Sequence, residues 1–404
     1  MTGTRSDSLI LDELSGGVCA TPGIRASGVG AGLKPSGRLD LALVAASRPV
    51  PAAAVQTRNQ VVAAPVEVTS RHLADGRAQA VLLNAGHANA CTGPDGLALA
   101  EESAAAVAAS LGCQASDVAL CSTGVIGVSP PRAPLLAGVA QAVAALSVDG
   151  GSRAAKAIMT TDTVPKQAAV RVAEGDAGCV VGGMAKGSGM IAPALATMLC
   201  VLTTDAPLQG PVLRSALRDV AARTFGRVSV DACLSTNDAV VLMATGGAER
   251  PPSLSAFRAG LHAVCARLAE ALVRDGEGAA KLIRLRVTGA PTEADAEGVA
   301  RAVAGSALVR AAVAGGDPNW GRVLAAAGAG PVRFDPQRVA VSFGGVTVCR
   351  FGVVTAFDRG QAAVALRGPQ VRITVDLGLG HAEVEFLTCD LTREYVTINA
   401  EYTT

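Results

Sequence analysis

Short apolar runs alternate along the chain with longer stretches in which apolar residues recur every three or four positions. The short runs are typical of buried strands, and the longer stretches are typical of helices packed on one face. The predicted strands are residues 81–84, 118–122, 179–185, 198–203, 339–343, 371–376, 382–387 and 395–398. The predicted helices are residues 101–111, 135–146, 211–224 and 254–274. A fifth helix is expected to begin with Asp317 as its cap and to end near Gly328. This alternation favours an α/β fold.

The composition indicates how the core of such a fold is filled. Half of the 404 residues are hydrophobic but only 2% are aromatic, so Ala, Val and Leu must supply most of the core. At roughly 100–200 residues per domain, this length predicts two or three domains or lobes. The formal net charge is +1, which gives no overall field that would attract nucleic acid or a membrane surface.

Cysteine and histidine usage bears on disulfides, on the cellular compartment and on metal binding. The ten cysteines form no C-x-x-C pair and several lie inside apolar runs, which predicts free thiols in a reducing compartment. The four histidines are far apart and lack metal-ligand spacing, so no metal is expected. The first residues lack a signal-peptide pattern, and no apolar run reaches about 18 residues. We therefore expect a cytoplasmic protein without a membrane segment.

The segment AKGSGMIAPALATMLCVLTTDA, residues 185–206, joins a glycine-rich turn to a Thr at the start of an apolar run. On the residues alone, this is typical of a loop that leads into a buried strand. A Thr inside a chain has no general base of its own. If the bond between Ala196 and Thr197 were cut, the freed α-amino group, with an ordinary pKa of about 7.7–8.0, would lie within reach of the Thr197 hydroxyl. Spacing by itself does not single out Thr197.

Several other motifs allow both a structural and a functional interpretation. CSTGVIG, residues 121–127, is typical of a strand-to-turn transition, but a Thr hydroxyl and a Gly amide can also stabilise an oxyanion. DGEGAAKLI, residues 275–283, is typical of a turn before a strand, and EYVTINAEYTT, residues 394–404, of an edge strand with a frayed end. Thr160 has the features of a loop or cap residue. Lys186, one of few lysines, is either a solvated surface residue or the cation for a substrate carboxylate.

Taken in order, these motifs resemble those of the ornithine acetyltransferase family, also called glutamate N-acetyltransferases. Residues 185–206 resemble the family's cleavage site, and seven further motifs match in order as far as the last residue. The seven are NAGHANACTG (84–93), CSTGVIG (121–127), MTTDTVPK (159–166), STND (235–238), DGEGAAKLI (275–283), GGDPNWGRVLAAAG (315–328) and EYVTINAEYTT (394–404).

The resemblance implies roles for individual residues. Thr197 would be the nucleophile, and Thr123 and Gly124 would form the oxyanion hole. Lys186 would hold the α-carboxylate of an amino-acid substrate, and Glu277 would suit the δ-ammonium of ornithine, although a structural ion pair between Glu277 and Lys281 is an alternative. The full set of substrate-binding residues implied by the resemblance is Thr160, Lys186, Thr197, Glu277, Asn399 and Thr404.

The resemblance also implies a fold, a maturation step and a reaction. The fold would be a two-lobed α/β sandwich of mixed sheets with flanking helices, of the self-cleaving N-terminal-nucleophile type. Cleavage between Ala196 and Thr197 would give an α chain, residues 1–196, and a β chain, residues 197–404. Two of each would associate as a heterotetramer. The acetyl group of N2-acetylornithine would pass to Thr197 and then to glutamate, in arginine biosynthesis, without a metal or organic cofactor.

The match has departures, and other functions stay open. Ala192 and Ala194 flank Pro193, where the family often has His and Asn, His87 stands where Asn is usual, and Ala280 replaces a common Thr. One alternative is synthesis of N-acetylglutamate from acetyl-CoA at the same site. A second is an amidase or aminopeptidase of related self-cleaving fold. A third is an uncleaved scaffold or binding protein, which would leave the 40.2 kDa chain intact.

Overall fold

The fold is that of a computed structural model, which describes residues 9–192 and 198–401. The strands are β1 (Leu9–Glu13), β2 (Ile24–Val29), β3 (Leu41–Gln56), β4 (Arg77–His87), β5 (Val118–Val125), β6 (Lys166–Glu174), β7 (Ala177–Lys186), β8 (Leu199–Thr204), β9 (Val228–Ser229), β10 (Ala239–Ala244), β11 (Leu282–Ala290), β12 (Ala340–Phe343), β13 (Val346–Arg350), β14 (Val353–Val354), β15 (Gln370–Asp376) and β16 (Ala382–Cys389). The helices are α1 (Ala64–His72), α2 (Gly93–Leu111), α3 (Arg132–Ala144), α4 (Gly151–Ala157), α5 (Gly210–Arg223), α6 (Leu254–Arg274), α7 (Glu293–Ala304), α8 (Ala307–Ala314), α9 (Trp320–Gly328), α10 (Arg359–Val364) and α11 (Arg393–Glu401).

The strands form two mixed sheets. The larger sheet has the order β1-β6-β7-β8-β10-β3-β4-β5, and β2 pairs with β3 beside that path. In it, β8 runs parallel to β10 and β4 parallel to β5, whereas β7 is antiparallel to β8. The smaller sheet has the order β14-β13-β12-β15-β11-β16-β9. The predicted α/β fold with mixed sheets and flanking helices is confirmed.

Helix α6 joins the two sheets through a shared core. Its buried residues include Phe257 and Leu268, which lie in one apolar cluster with Leu202 of the larger sheet and Leu282 of the smaller one. Small residues allow this close packing: a Cβ at Gly260 would collide with the side chain of Val172. Because aromatic residues are so few, each buried Phe fills a volume that several Ala side chains would otherwise have to fill.

Most of the helices and strands predicted from the apolar pattern are confirmed, but two predictions were wrong. Residues 395–398 were predicted as a strand and instead lie within helix α11. Helix α9 is capped by Asn319, whose side chain accepts a hydrogen bond from the Arg322 amide, and not by Asp317. Asp317 lies one residue before Pro318, outside the helix, where its carboxylate accepts a hydrogen bond from the Asn319 side chain at 2.9 Å.

All ten cysteines are free thiols, and six of them are buried. Burial alone raises the pKa of the Cys121 thiol to about 12, so this thiol is protonated and unreactive as a nucleophile at neutral pH. Over residues 9–192 and 198–401, no helix combines the length and apolar character needed to cross a bilayer.

We predict that Phe257→Ala destabilises the protein far more than Phe351→Ala. The Phe257 side chain is 1% exposed within the apolar cluster that α6 shares with both sheets, whereas Phe351 is 66% exposed. Removal of a buried ring leaves a cavity and costs about 3–5 kcal/mol, while removal of an exposed ring costs little. Thermal melts of the two variants check this, and equal melting temperatures would show that the Phe257 ring does not stabilise this cluster.

Candidate active site

A buried ammonium group lies among three of the motifs, residues 121–127, 159–166 and 185–206. Lys186 ends strand β7, opposite Leu199 of β8, and only 3% of its surface is exposed. Its Nζ donates hydrogen bonds to the hydroxyls of Thr160, at 2.7 Å, and Thr123, at 3.1 Å. Within the described residues, the nearest carboxylate is Asp162, whose Oδ2 lies 3.9 Å away. Lys186 is therefore not a solvated surface lysine, and the structure brings three residues of the predicted site together.

Asp162 compensates the buried charge. Its carboxylate accepts hydrogen bonds from the Lys166 ammonium and from the Gly187 amide, both at 2.7 Å. Burial by itself would raise the pKa of Asp162, but the charges of Lys186 and Lys166 outweigh it and lower the pKa to about 2. Burial also lowers the pKa of Lys186, and Asp162 opposes that effect. A second carboxylate, Asp275, accepts a hydrogen bond from Lys166 at 2.5 Å.

Thr123 and Gly124 lie near the end of β5, beside the end of the paired strand β4. Thr123 is buried, and because its hydroxyl oxygen accepts a hydrogen bond from Lys186, its own hydrogen can be donated to another atom. Gly124 has φ +129°, and a Cβ there would collide with the backbone of Gly86. Only glycine fits this position, which follows Thr123 directly. A hydroxyl and an amide in this arrangement suit a developing oxyanion.

Three motifs hold this strand end in place. Asn237, in the STND motif, donates hydrogen bonds from its side-chain amide to the carbonyls of Ala88, at 2.7 Å, and Ser122, at 2.9 Å. Ser122, in the CSTGVIG motif, donates to the side-chain oxygen of Asn84 at 2.5 Å. Asn84, which opens the NAGHANACTG motif, donates to the His87 carbonyl at 2.9 Å. The motifs are separate in sequence but form one hydrogen-bonded unit around Thr123.

The turn after α6 and the C-terminal helix meet at Glu277. The side-chain amide of Asn399, in α11, donates a hydrogen bond to Glu277 Oε2 at 2.9 Å. The Glu277 backbone amide donates to the carbonyl of Ser188 at 2.7 Å, which attaches this turn to the loop after Lys186. Thr392, just before α11, donates to the Gly278 carbonyl at 2.6 Å. Glu277 and Asn399, which are 122 positions apart in sequence, are therefore direct neighbours in the fold.

Lys281 does not form the alternative ion pair with Glu277. Its ammonium donates instead to the carbonyls of Val313, at 2.8 Å, and Ala314, at 3.3 Å, at the end of helix α8. The negative charge of Glu277 raises the pKa of Lys186, against the larger effect of burial, so these two predicted site residues interact electrostatically. Lys281 therefore does not occupy the Glu277 carboxylate.

Three predicted residues, Ala196, Thr197 and Thr404, lie outside the described residues. The chain on either side of residues 193–197 is held by one loop, residues 231–238. On the upstream side, the amides of Met190 and Ile191 donate to the Asp231 carboxylate at 2.5 and 2.9 Å. On the downstream side, the Met198 amide donates to Asp238 Oδ1 at 3.1 Å. The described chain is therefore anchored by hydrogen bonds on both sides of the expected cleavage site.

The departures from the family pattern lie around this site. Ala192 is buried beside the cleavage segment, whereas Ala194 lies outside the described residues. His87, at the end of β4, is a strand-pairing partner of Thr123 in β5. Burial lowers the pKa of the His87 imidazole. The Ala280 amide donates to Asp390 at 2.9 Å, a backbone contact that does not depend on its side chain.

Sequence reasoning missed four charged residues that organise the site: Asp162, Lys166, Asp231 and Asp238. Asp162 and Lys166 lie inside MTTDTVPK, and Asp238 ends STND. The available signal was a carboxylate within a polar motif that is flanked by apolar strands. Such a residue is expected to be buried and paired, because it has little chance of reaching solvent.

Comparisons with known proteins agree with the motifs. The sequence matches the ArgJ family over residues 25–404. The arginine biosynthesis bifunctional protein ArgJ of Mycobacterium bovis is 50% identical over 394 residues, which cover 96% of each chain. The protein of that name from Symbiobacterium thermophilum is 48% identical over 402 residues, covering 98% of this chain and 100% of that protein. The chain is thus an enzyme of arginine biosynthesis. It belongs to the ArgJ family.

Solved structures show partial likeness. The ornithine acetyltransferase of Mycobacterium tuberculosis, complexed with ornithine, is 49% identical and covers 48% of this chain and 100% of that one, with a TM-score of 0.42. The arginine biosynthesis bifunctional protein of Bacillus halodurans is 37% identical and covers 50% of this chain and 97% of that one, with a TM-score of 0.48. The family predicted from the motifs is confirmed, while the roles of individual residues stay predictions.

We predict that Gly124→Ala lowers activity by about a hundredfold or more, the scale for the loss of one oxyanion donor. The added Cβ would collide with the backbone of Gly86 and displace the amide. Gly127→Ala is the matched control, because Gly127 also has positive φ, +84°, but has no atom within 4 Å of the new Cβ. Steady-state rates of the two purified variants test this, and equal losses would contradict it.

Proposed function

We propose that this enzyme transfers the acetyl group of N2-acetylornithine to glutamate through an acetyl ester on Thr197. The observation that carries the proposal is the buried Lys186 ammonium, hydrogen-bonded to the hydroxyls of Thr123 and Thr160. This cation and the hydroxyl of Thr123 can stabilise negative charge on an acetyl carbonyl oxygen. A buried positive charge also favours the α-carboxylate that acetylornithine and glutamate share.

The remaining predicted residues take their roles around this centre. The Gly124 amide adds the second donor to the oxyanion. Glu277, held by Asn399 at 2.9 Å, presents a carboxylate to the δ-ammonium of ornithine. Glutamate lacks that ammonium but has the same α-carboxylate, so the pocket around Lys186 can accept glutamate after ornithine leaves. Thr404, which follows α11 in the sequence, completes the proposed site.

We propose that the nucleophile is exposed by cleavage between Ala196 and Thr197, which divides the chain into residues 1–196 and 197–404. The topology of the larger sheet supports stable association of the two products. Strands β8 and β10 belong to the second product, and they lie between β7 and β3 of the first. The two chains would therefore share continuous backbone hydrogen bonding on both sides. Association of two such pairs, as the resemblance implies, is part of this proposal.

We predict that the purified protein migrates as two fragments, one of which begins Thr-Met-Leu-Cys. Thr197→Ala should remain a single chain, because no hydroxyl is available to attack the Ala196 carbonyl. Thr197→Ser is the matched control, since it retains a hydroxyl, and it should still be cut. Denaturing gels with N-terminal sequencing check this. Efficient cutting of Thr197→Ala at the same bond would point to a separate protease.

We predict that Thr123→Ala lowers kcat about a hundredfold or more, with a smaller effect on KM, because the hydroxyl acts on the transition state. Thr123→Ser, which keeps the donor, should retain most of the activity. Initial rates over a range of acetylornithine concentrations separate the two constants. A change confined to KM would assign Thr123 to substrate binding alone.

We predict ping-pong kinetics, with parallel double-reciprocal lines for acetylornithine and glutamate, because ornithine leaves before glutamate enters. Glutamate acetylation is measured with acetylornithine and with acetyl-CoA as separate donors, which tests the alternative synthase activity. Release of acetate without an acceptor would favour a hydrolase. Intersecting lines would contradict a covalent intermediate.

A further inference from the structure

A second buried ammonium group, that of Lys166, lies between two carboxylates. Its Nζ donates hydrogen bonds to Asp162 at 2.7 Å and to Asp275 at 2.5 Å, and each of the three side chains is at most 5% exposed. Together they form the Lys166 bridge. The reaction proposed above uses neither Lys166 nor Asp275. A buried ion pair adds little net stability, because the cost of removing both charges from water offsets their attraction. The bridge therefore calls for another explanation.

The two carboxylates of the Lys166 bridge belong to different parts of the site. Asp162 accepts a hydrogen bond at 2.7 Å from the backbone amide of the residue that follows Lys186. Asp275 is the C-terminal cap residue of α6 and precedes Glu277 by two positions. One ammonium group thus connects the segment that carries the proposed α-carboxylate site to the turn that carries the proposed δ-ammonium site.

The Glu277 carboxylate itself lies against the loop after Lys186. A Cβ at Gly189 would collide with that carboxylate. The Glu277 backbone amide donates to the Ser188 carbonyl at 2.7 Å, and the hydroxyls of Ser188 and Thr161 are hydrogen-bonded to each other at 2.7 Å. The separation between the Lys186 ammonium and the Glu277 carboxylate is therefore set by contacts among three short segments of the chain.

We propose that Lys166 and Asp275 are positioning residues that set the side-chain length of the acetyl donor. They do so by fixing the distance between Lys186, which holds the α-carboxylate of the donor, and Glu277, which holds its terminal ammonium. The proposal rests on the function proposed above. Because an ion pair needs its charged atoms within about 4 Å, a donor one methylene shorter or longer than acetylornithine cannot meet both groups equally well.

The acceptor does not depend on this distance. Glutamate has an α-carboxylate but no side-chain ammonium, so it engages Lys186 without Glu277. In a ping-pong scheme, kcat/KM for each substrate reports only the half-reaction of that substrate. A weakened Lys166 bridge should therefore lower kcat/KM for acetylornithine and leave kcat/KM for glutamate unchanged, whereas a general packing defect would lower both.

The first test is Asp275→Asn, which keeps the shape of the side chain and removes a charge opposite Lys166. The donors are N2-acetylornithine and its homologues with one methylene fewer and one more, N2-acetyl-diaminobutyrate and N2-acetyl-lysine. The unmodified enzyme should prefer N2-acetylornithine by about tenfold or more in kcat/KM, the scale for one methylene. In Asp275→Asn this preference should shrink to about threefold or less, while kcat/KM for glutamate stays within about threefold of its unmodified value.

The matched control is Asp205→Asn. Asp205 is also a buried carboxylate, but it lies just beyond the far end of β8, where it accepts the Val180 amide at 2.6 Å. This variant should keep the full preference for N2-acetylornithine. An undiminished preference in Asp275→Asn, an equal loss in both variants, or an unmodified enzyme without preference among the three donors would overturn the proposal.

Glu277→Gln separates failure of this proposal from failure of the proposed function. It removes the charge that would hold the donor ammonium, so kcat/KM should fall for acetylornithine and not for glutamate. If it falls for neither or equally for both, the proposed role of Glu277 fails. If Glu277→Gln behaves as expected while Asp275→Asn keeps the full preference, only the role of the Lys166 bridge fails.

A milder variant covers the case in which Asp275→Asn does not fold. The Thr163 hydroxyl donates a hydrogen bond to the Asp275 carboxylate, and Thr163 is exposed, so Thr163→Ala removes one contact of the Lys166 bridge without opening a buried cavity. The preference for N2-acetylornithine should fall about twofold or more, the scale for one hydrogen bond, with kcat/KM for glutamate unchanged. An undiminished preference in Thr163→Ala would then contradict the proposal.

Discussion

The site depends on the cost of burying one ammonium group. Lys186 is almost fully removed from solvent, and such a charge is tolerated only when polar groups and an opposite charge surround it. Thr123, Thr160 and Asp162 meet that requirement, and Asp162 is itself held by Lys166. The groups that solvate Lys186 are also the groups that would bind the acetyl carbonyl and the substrate. Stability and chemistry therefore share the same hydrogen bonds.

The topology would keep the chain folded after the proposed cleavage. Residues 193–197 lie between β7 and β8, which are antiparallel neighbours with six residue pairs running from Val181–Thr204 to Lys186–Leu199. The loop at residues 231–238 holds the chain on both sides of the cleavage segment through Asp231 and Asp238. A break between these anchors leaves every strand pairing of the described sheets in place.

Local sequence patterns predicted the elements whose apolar spacing is strong. Helix α6 was predicted with its observed bounds, Leu254–Arg274, because its apolar face is long and regular. Helix α11 was missed, because Tyr395, Val396, Thr397 and Ile398 favour strands by intrinsic propensity. Contacts that are remote in sequence outweigh that propensity, namely those of Thr392 with Gly278 and of Asn399 with Glu277. No local window contains this information.

The site was predictable only in part, for a similar reason. Resemblance supplied Thr123, Thr160, Lys186, Glu277 and Asn399, and the fold brings the first three into direct contact and pairs the last two. The supporting carboxylates were not predicted, since the partners of Asp162 and Asp238 become neighbours only when β7, β8 and the loop at residues 231–238 assemble. A charge that compensates another charge is visible only once both are placed.

The most direct test of the central claim is the mass of the fragment that begins at Thr197, measured after incubation with acetylornithine and no acceptor. A covalent mechanism predicts a gain of one acetyl group on that fragment and its loss when glutamate is added. The gain should map to the Thr197 oxygen and should be absent with ornithine in place of acetylornithine. An enzyme that turns over glutamate and acetylornithine at full rate, yet never carries an acetyl group on this fragment, would contradict the account.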